Sequence, residues 1–242
     1  MNLEFLQVGG AGADGPIARS PIEPLARAAG ARFELRDGWN IAASFGPGAE
    51  QEAAAANRAA GWADVSHLGK LELQGPSEAL DALLGAPLPF GTAVAADRAW
   101  WCRLTSTRAL VVGDVAGARE RAETDDRLRV VDVTTTFAAI TVAGPLAREV
   151  FARFCALDLR PHVTPVRGLR PGSIGRQPGV LVREAEDRYL FLFGWATGEY
   201  MWSIVTDAGE HLGGRPIGAD ALALLGGGAG DALDTQEEAV GA

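Results

Sequence analysis

Leu71-Glu72-Leu73-Gln74-Gly75-Pro76-Ser77-Glu78-Ala79-Leu80-Asp81-Ala82-Leu83-Leu84 decides the fold. Leu71 to Gln74 alternates apolar and polar residues with the period of a strand. Gly75-Pro76 breaks it, and Ser77 to Leu84 then reads as a helix opened by the proline. The pattern returns at Val142-Ala143-Gly144-Pro145, followed by the helical run 146–154 (LAREVFARF), with the two Gly-Pro pairs 69 residues apart. Upstream, Asp64-Val65-Ser66 stands nine residues before Leu73, and Asp132-Val133-Thr134 stands ten before Val142. Downstream, each copy has a hairpin pattern: Cys102-Arg103-Leu104 with Arg108 to Val112, and Val182-Arg183-Glu184 with Arg188 to Leu192, 80 residues apart. Two copies are too few for a solenoid. The expectation is an α+β fold of two related halves, each an antiparallel sheet with helices on one face.

Around this unit the signals are local. Ser20-Pro21-Ile22-Glu23 combines a cap, a first-turn proline and a capping-box glutamate, so a helix is predicted from Ser20 to a stop at Gly30. Gln51 to Ala60 is a helix by propensity, ended by Gly61. The first half is placed at 20–128 and the second, ferredoxin-like half at 129–225. Residues 1–19 read as a loosely ordered N-terminus and 226–242 as a flexible acidic tail, Gly-rich and without aromatics.

Composition excludes several classes. The 242 residues are 48% apolar and 22% charged, which rules out collagen, coiled coil or disorder for the bulk of the chain. Net charge is −9, so without a basic stripe neither nucleic acid nor an anionic membrane is the expected partner. The N-terminus lacks a basic segment followed by an apolar run, and no stretch approaches 18 uncharged apolar residues. A cytoplasmic protein is expected. Two cysteines, Cys102 and Cys155, make neither a disulfide framework nor a four-ligand zinc site.

The motifs that could carry chemistry each have a plainer reading. Gly10-Ala11-Gly12-Ala13-Asp14-Gly15 has the spacing of a nucleotide loop. Pro16, Pro21 and Pro24 follow it, however, and no βαβ repeat does, so it reads as a loop. His67, His162 and His211 stand alone, without metal-ligand spacing. Asp64, Ser66 and His67 offer triad residue types but no nucleophile turn, and a strand entry explains them. Cys102 and Cys155 read as packed thiols. Trp100 and Trp101 must point to opposite faces of a strand. One is expected in the core and the other at a surface, pocket wall or interface, with Trp195 and Trp202 as companions.

With these segments in view, the chain resembles the folate-binding family of the glycine cleavage T protein (aminomethyltransferase). The carriers are Asp37-Gly38-Trp39, Gly61-Trp62-Ala63-Asp64-Val65-Ser66-His67-Leu68-Gly69-Lys70, Val142-Ala143-Gly144-Pro145 with its helix, and Gly214-Arg215-Pro216-Ile217-Gly218. The likeness runs over about residues 20–222. It implies T-protein-like domains 1 and 2 without the C-terminal barrel domain, and tetrahydrofolate as the cofactor. It also implies a catalytic carboxylate at Asp97 and a ligand-lining set of Leu68, Trp100, Cys102, Asp114, Arg183 and Trp195.

Departures from the family pattern qualify that role. The family's catalytic Asp is the second of a pair, and here Asp97 aligns with the first while Arg98 falls at the catalytic place; a one-residue slip returns Asp97 to it. Gly113, with Asp114 beside it, replaces an asparagine. The pterin-gripping carboxylate becomes Leu190, and an expected arginine falls at Leu222. A donor-rich pterin edge facing leucine loses its charge-assisted partner. One branch, the sarcosine oxidase gamma subunit, resembles the chain in 131–161 and in the helix from Thr197 to Ala208. That branch implies an accessory subunit whose partners are flavoprotein amine oxidase subunits, or self-association. The alternative is a stand-alone tetrahydrofolate-dependent transferase. The K-G-C-Y-x-G-Q-E motif of the iron–sulfur repair relatives is not matched.

Overall fold

A computed structural model describes residues 16–229. The glycine-rich motif at 10–15 and most of the predicted terminal segments lie outside the described residues. A small sheet comes first, in the order β1 (Ala18–Arg19), β3 (Trp39–Ser44), β2 (Arg32–Arg36). The helix predicted from Ser20 is α1 (Glu23–Ala28). Ser20 Oγ accepts the Ile22 amide at 3.1 Å, and Gly30 ends the segment at φ 89°. The alanine-rich run forms α2 (Ala49–Ala56), which begins two residues before the expected start and is capped at Asn57, well short of Gly61.

The predicted repeat is present. β5 (Gly69–Gln74) runs through Gly75-Pro76 into α3 (Ser77–Leu84), and β10 (Phe137–Ala143) runs through Gly144-Pro145 into α5 (Ala147–Ala152). A Cβ at Gly144, which sits at φ 118°, would fall 2.3 Å from the Ala56 carbonyl, so the close approach demands glycine. β6 (Ala93–Ala96), β7 (Ala99–Thr105) and β8 (Arg108–Gly113) match β11 (Leu169–Ile174), β12 (Gln177–Ala185) and β13 (Arg188–Gly194). Both hairpins break register at the same step, between Arg103 and Thr105 and between Arg183 and Ala185.

The two halves exchange a strand. One sheet has the order β6-β7-β8-β5-β9, with β9 (Arg129–Asp132) taken from just before the second copy. The other has the order β11-β12-β13-β10-β4-β14, with β4 (Gly61–Asp64) taken from just before the first copy and β14 (Arg215–Pro216) added in parallel. The chain therefore crosses between sheets twice, at 65–68 and at 133–136. The sheet edges also meet about a local two-fold: Ala93 donates to the Arg167 carbonyl at 2.7 Å, and Leu169 donates to the Gly91 carbonyl at 2.8 Å. Thr92 and Gly168 pair between these bonds.

The layers are helix, sheet, sheet, helix. α3 and α4 (Ala116–Glu123) cover the outer face of the five-stranded sheet over Leu71, Trp101 and Val111. α1, α5 and α6 (Gly198–Glu210) cover the outer face of the six-stranded sheet over Trp62, Tyr189 and Phe191. The inner faces meet in a third apolar layer that holds Trp100, Cys102, Val182 and Leu190, closed at one end by α2 and α7 (Ala219–Leu224). Trp100 and Trp101 do point to opposite faces, yet both are buried, at 1% and 0% exposure. The surface tryptophan expected from the strand pattern is absent because both faces of that sheet are covered.

Candidate functional site

The residues singled out from the sequence fall in three places. Leu68, Trp100 and Cys102 share the inter-sheet layer. Trp100 Nε1 donates to Glu184 Oε1 at 2.7 Å, and Arg188 Nε donates to Glu184 Oε2 at 2.9 Å. Arg188 continues to the carbonyl of Leu222 in α7 (Ala219–Leu224) and to that of Gly226 beyond it. Burial pushes the Cys102 thiol up to about 12, with the Glu184 carboxylate adding to the shift, so this cysteine is a packed thiol. Leu190 is fully buried in the same layer.

Arg183 and Trp195 lie on the outer side of the six-stranded sheet. Arg183 is buried and donates to the carbonyls of Thr164 and Glu186, with its guanidinium 5.7 Å from the Tyr189 ring centre. Its counterpart one repeat earlier, Arg103, bonds the carbonyls of Leu88 and Ser106 and sits 5.8 Å from the Phe90 ring centre. The two arginines do the same work, tying a bulged strand to its flanking loops. Trp195 is half-buried and tilts against Trp39 at 6.2 Å.

Asp97 and Asp114 stand together at one strand end of the five-stranded sheet, where the Asp114 amide donates to the Arg98 carbonyl at 3.3 Å. Asp97 and Arg98 form the two-residue turn between β6 and β7, at φ 53° and 59°. The Asp97 carboxylate pairs with Arg121 of α4, on the outer helix layer, and both side chains are nearly half exposed. Asp114 accepts the Ala116 amide at 3.3 Å at the start of α4. Asp97 therefore faces away from the layer that holds Trp100, Cys102 and Leu68.

Two groups escaped the sequence reading. Glu184 is a buried carboxylate joining the two repeats, and only the fold brings Trp100 to it. The other is the passage from one sheet to the other at Asp64-Val65-Ser66, residues read from the sequence only as a strand entry. Asp64 Oδ1 accepts the Ser66 amide at 2.9 Å, and Asp132 Oδ1 accepts the Thr134 amide at 2.9 Å. Burial raises the Asp64 carboxyl, against hydrogen bonds from Ser20 and Ser66 and the charge of Lys70. Burial also lowers His67 to about 4, with Lys70 and Arg36 adding repulsion. Among the described residues no group of three or more His, Cys, Asp or Glu is placed to hold a metal ion. No helix there is long and apolar enough to cross a membrane.

Two sheets interlocked by exchanged strands, with helices outside, define a duplicated α+β protein. The GCVT N-terminal domain model matches residues 91–226, more than half the chain, and the protein belongs to that family. It is similar to the aminomethyltransferase of Saccharopolyspora erythraea, 29% identical over 225 residues, covering 83% of this chain and 60% of the relative. It is similar also to that of Symbiobacterium thermophilum, 23% identical, covering 86% of this chain and 63% of the relative. The chain thus spans about 60% of the length of the curated relatives it matches. Among solved structures, glycine cleavage system aminomethyltransferase T from Bartonella henselae superposes with a TM-score of 0.68 at 18% identity. That match covers 85% of this chain and 60% of the other. Heterotetrameric sarcosine oxidase from Corynebacterium sp. U-96 gives 0.62 at 20%, covering 81% of this chain and 96% of the matched one. These two likenesses establish the fold.

The side chains of the inter-sheet layer do not fit a folate as they stand. Both Glu184 oxygens are already bonded. The buried polar atoms without a partner among the described residues, on Glu23, Trp62, Trp101, Glu149 and Thr206, belong to the outer layers and helices. A pterin edge entering between the sheets would meet apolar side chains and lose its hydrogen bonds.

Proposed function

We propose that this protein is an accessory or binding subunit of the T-protein-like, folate-linked family, acting in cytoplasmic one-carbon metabolism as part of an amine oxidase of the sarcosine oxidase kind. The observation that carries this reading is the separation of Asp97 from the inter-sheet layer. The one carboxylate at the family's catalytic segment is paired with Arg121 on the outer helix layer, while Trp100, Cys102, Leu68 and Leu190 fill the space between the sheets. General acid–base work on a folate nitrogen needs a carboxylate within hydrogen-bond reach of it. Here that carboxylate and the apolar layer do not converge. A flavoprotein subunit would then hold the chemistry, and this chain would contribute surface and support.

The alternative is a stand-alone tetrahydrofolate-dependent aminomethyltransferase with Asp97 as its catalytic group and Leu68, Trp100, Cys102, Asp114, Arg183 and Trp195 around the ligand. It is favoured by the aminomethyltransferase relatives and by the Asp64-Val65-Ser66-His67 run. Asp97→Ala separates the two. The subunit reading expects the variant to retain the wild-type's function, including any support it gives a flavoprotein partner. Loss of activity in that variant, with the fold intact by circular dichroism, favours the transferase.

A further inference from the structure

Lys70 is the one lysine of a chain that has 21 arginines, and it is fully buried. Its Nζ donates to the Leu68 carbonyl at 2.8 Å, the Ser66 carbonyl at 2.9 Å and the Thr134 carbonyl at 3.4 Å. Its own backbone amide donates to Thr134 Oγ1 at 3.0 Å, and its carbonyl accepts the Val133 amide at 3.0 Å. Two of the three acceptors belong to the first crossing between the sheets and the third to the second crossing. Three carbonyls converging on one point form a cation site, and an ammonium group has three protons to meet them. A planar guanidinium cannot converge three donors on one point, which gives a physical reason for lysine here in an arginine-rich chain.

We propose that these carbonyls form a monovalent-cation site of the ammonium class, filled from within by Lys70, and that this internal cation ties the two crossings together. Asp64 and Asp132 supply the favourable charge around it, while His67 stands nearby as a neutral ring. Burial pulls Lys70 down to about 7. Loss of a proton leaves two donors for three acceptors. The longest bond, to Thr134, is the one given up, and it is the bond that joins one crossing to the other. The site also fixes the carbonyl of Leu68, and thereby the loop that presents Leu68 to the inter-sheet layer. This inference is independent of whether the protein binds folate.

Lys70→Ala removes the atoms of an n-propylammonium ion. The full-length variant is melted in n-propylammonium chloride, with 1-propanol and tetramethylammonium chloride as controls for apolar filling and for charge alone. A refilled site raises the variant's Tm by about 2–4 °C in n-propylammonium only, and leaves the wild type unchanged. Equal shifts in the controls, or none, overturn the proposal. If the variant does not fold, the wild type decides, since one lysine gives one side-chain NMR signal. A caged ammonium retains slowly exchanging protons at pH 6, and rapid exchange there overturns the proposal.

Discussion

Ser66 and Thr134 occupy equivalent places in the two crossings and make the same bond to the opposite repeat. Ser66 Oγ accepts the Ala139 amide at 3.1 Å, and Thr134 Oγ1 accepts the Lys70 amide at 3.0 Å. Each hydroxyl is where an exchanged strand has ended and the next sheet begins, so the bonds sit on the interlock itself. Ser66→Ala leaves a buried amide without its acceptor and is expected to cost about 1–3 kcal/mol. Thr134→Val keeps the shape and is expected to cost about as much. Urea unfolding of both variants checks this, and a change below half a kcal/mol in both would dismiss the interlock.

Trp100 and Glu184 join the repeats through the apolar layer. Glu184→Leu leaves Arg188 buried without its carboxylate, and the expected loss is about 3 kcal/mol. Trp100→Phe removes one of the carboxylate's two donors, at about 1–3 kcal/mol. Because the two act on one network, the double variant should lose less than the sum. Additive losses in denaturant melts would show that the residues do not communicate.

Asp97 and Arg98 hold left-handed backbone in a two-residue hairpin turn, where glycine at the second position is preferred. Arg98→Gly relieves about 1–2 kcal/mol of left-handed strain against about 0.5–1 kcal/mol of added chain entropy, so a net stabilisation of under about 1 kcal/mol is expected. Asp97→Ala breaks an exposed pair with Arg121 and puts alanine at φ 53°, and should cost about 1–2 kcal/mol. Thermal melts of the two single variants give both signs directly.

Acid should weaken the protein through His67. Its folded value of about 4 lies below the ordinary 6.5, so between those values the unfolded chain binds more protons. The stability it contributes is present above pH 6.5 and is lost as pH falls toward 4. Lys70 acts in the same direction higher up, because the cost of burying its charge outweighs the bond its third proton makes: its contribution is complete above 10.5 and lost as pH falls toward 7. Asp64, raised by burial, works the opposite way above its ordinary 3.8. His67→Gln should therefore narrow the difference in urea midpoint between pH 7 and pH 4.5, and an unchanged difference would exclude His67 as its source.

The repeat was legible because its signals are local. The Gly-Pro breaks, the strand alternation and the helix 77–84 depend on neighbours within a turn or two. The strand exchange was not legible, since β4 and β9 select partners 55 to 82 residues away and nothing in their own residues names them. The same holds for the tryptophans: alternation gives opposite faces for Trp100 and Trp101, but whether a face is covered is settled by α3, α4 and the second sheet. Glu184 and Lys70 look like ordinary polar residues in a strand until the fold supplies Trp100 and Thr134. Asp97 was visible as a candidate, and only the hairpin's placement tells that its carboxylate turns toward Arg121.

The central claim, a family member whose inter-sheet layer is filled and whose Asp97 faces outward, is tested most directly by calorimetric titration of the full-length protein with tetrahydrofolate. Tryptophan fluorescence is followed in the same samples. The account predicts no saturable heat and no quenching up to about 1 mM, the weak end of the affinity scale. Micromolar binding that Asp97→Asn weakens would contradict it and place the transfer chemistry in this chain.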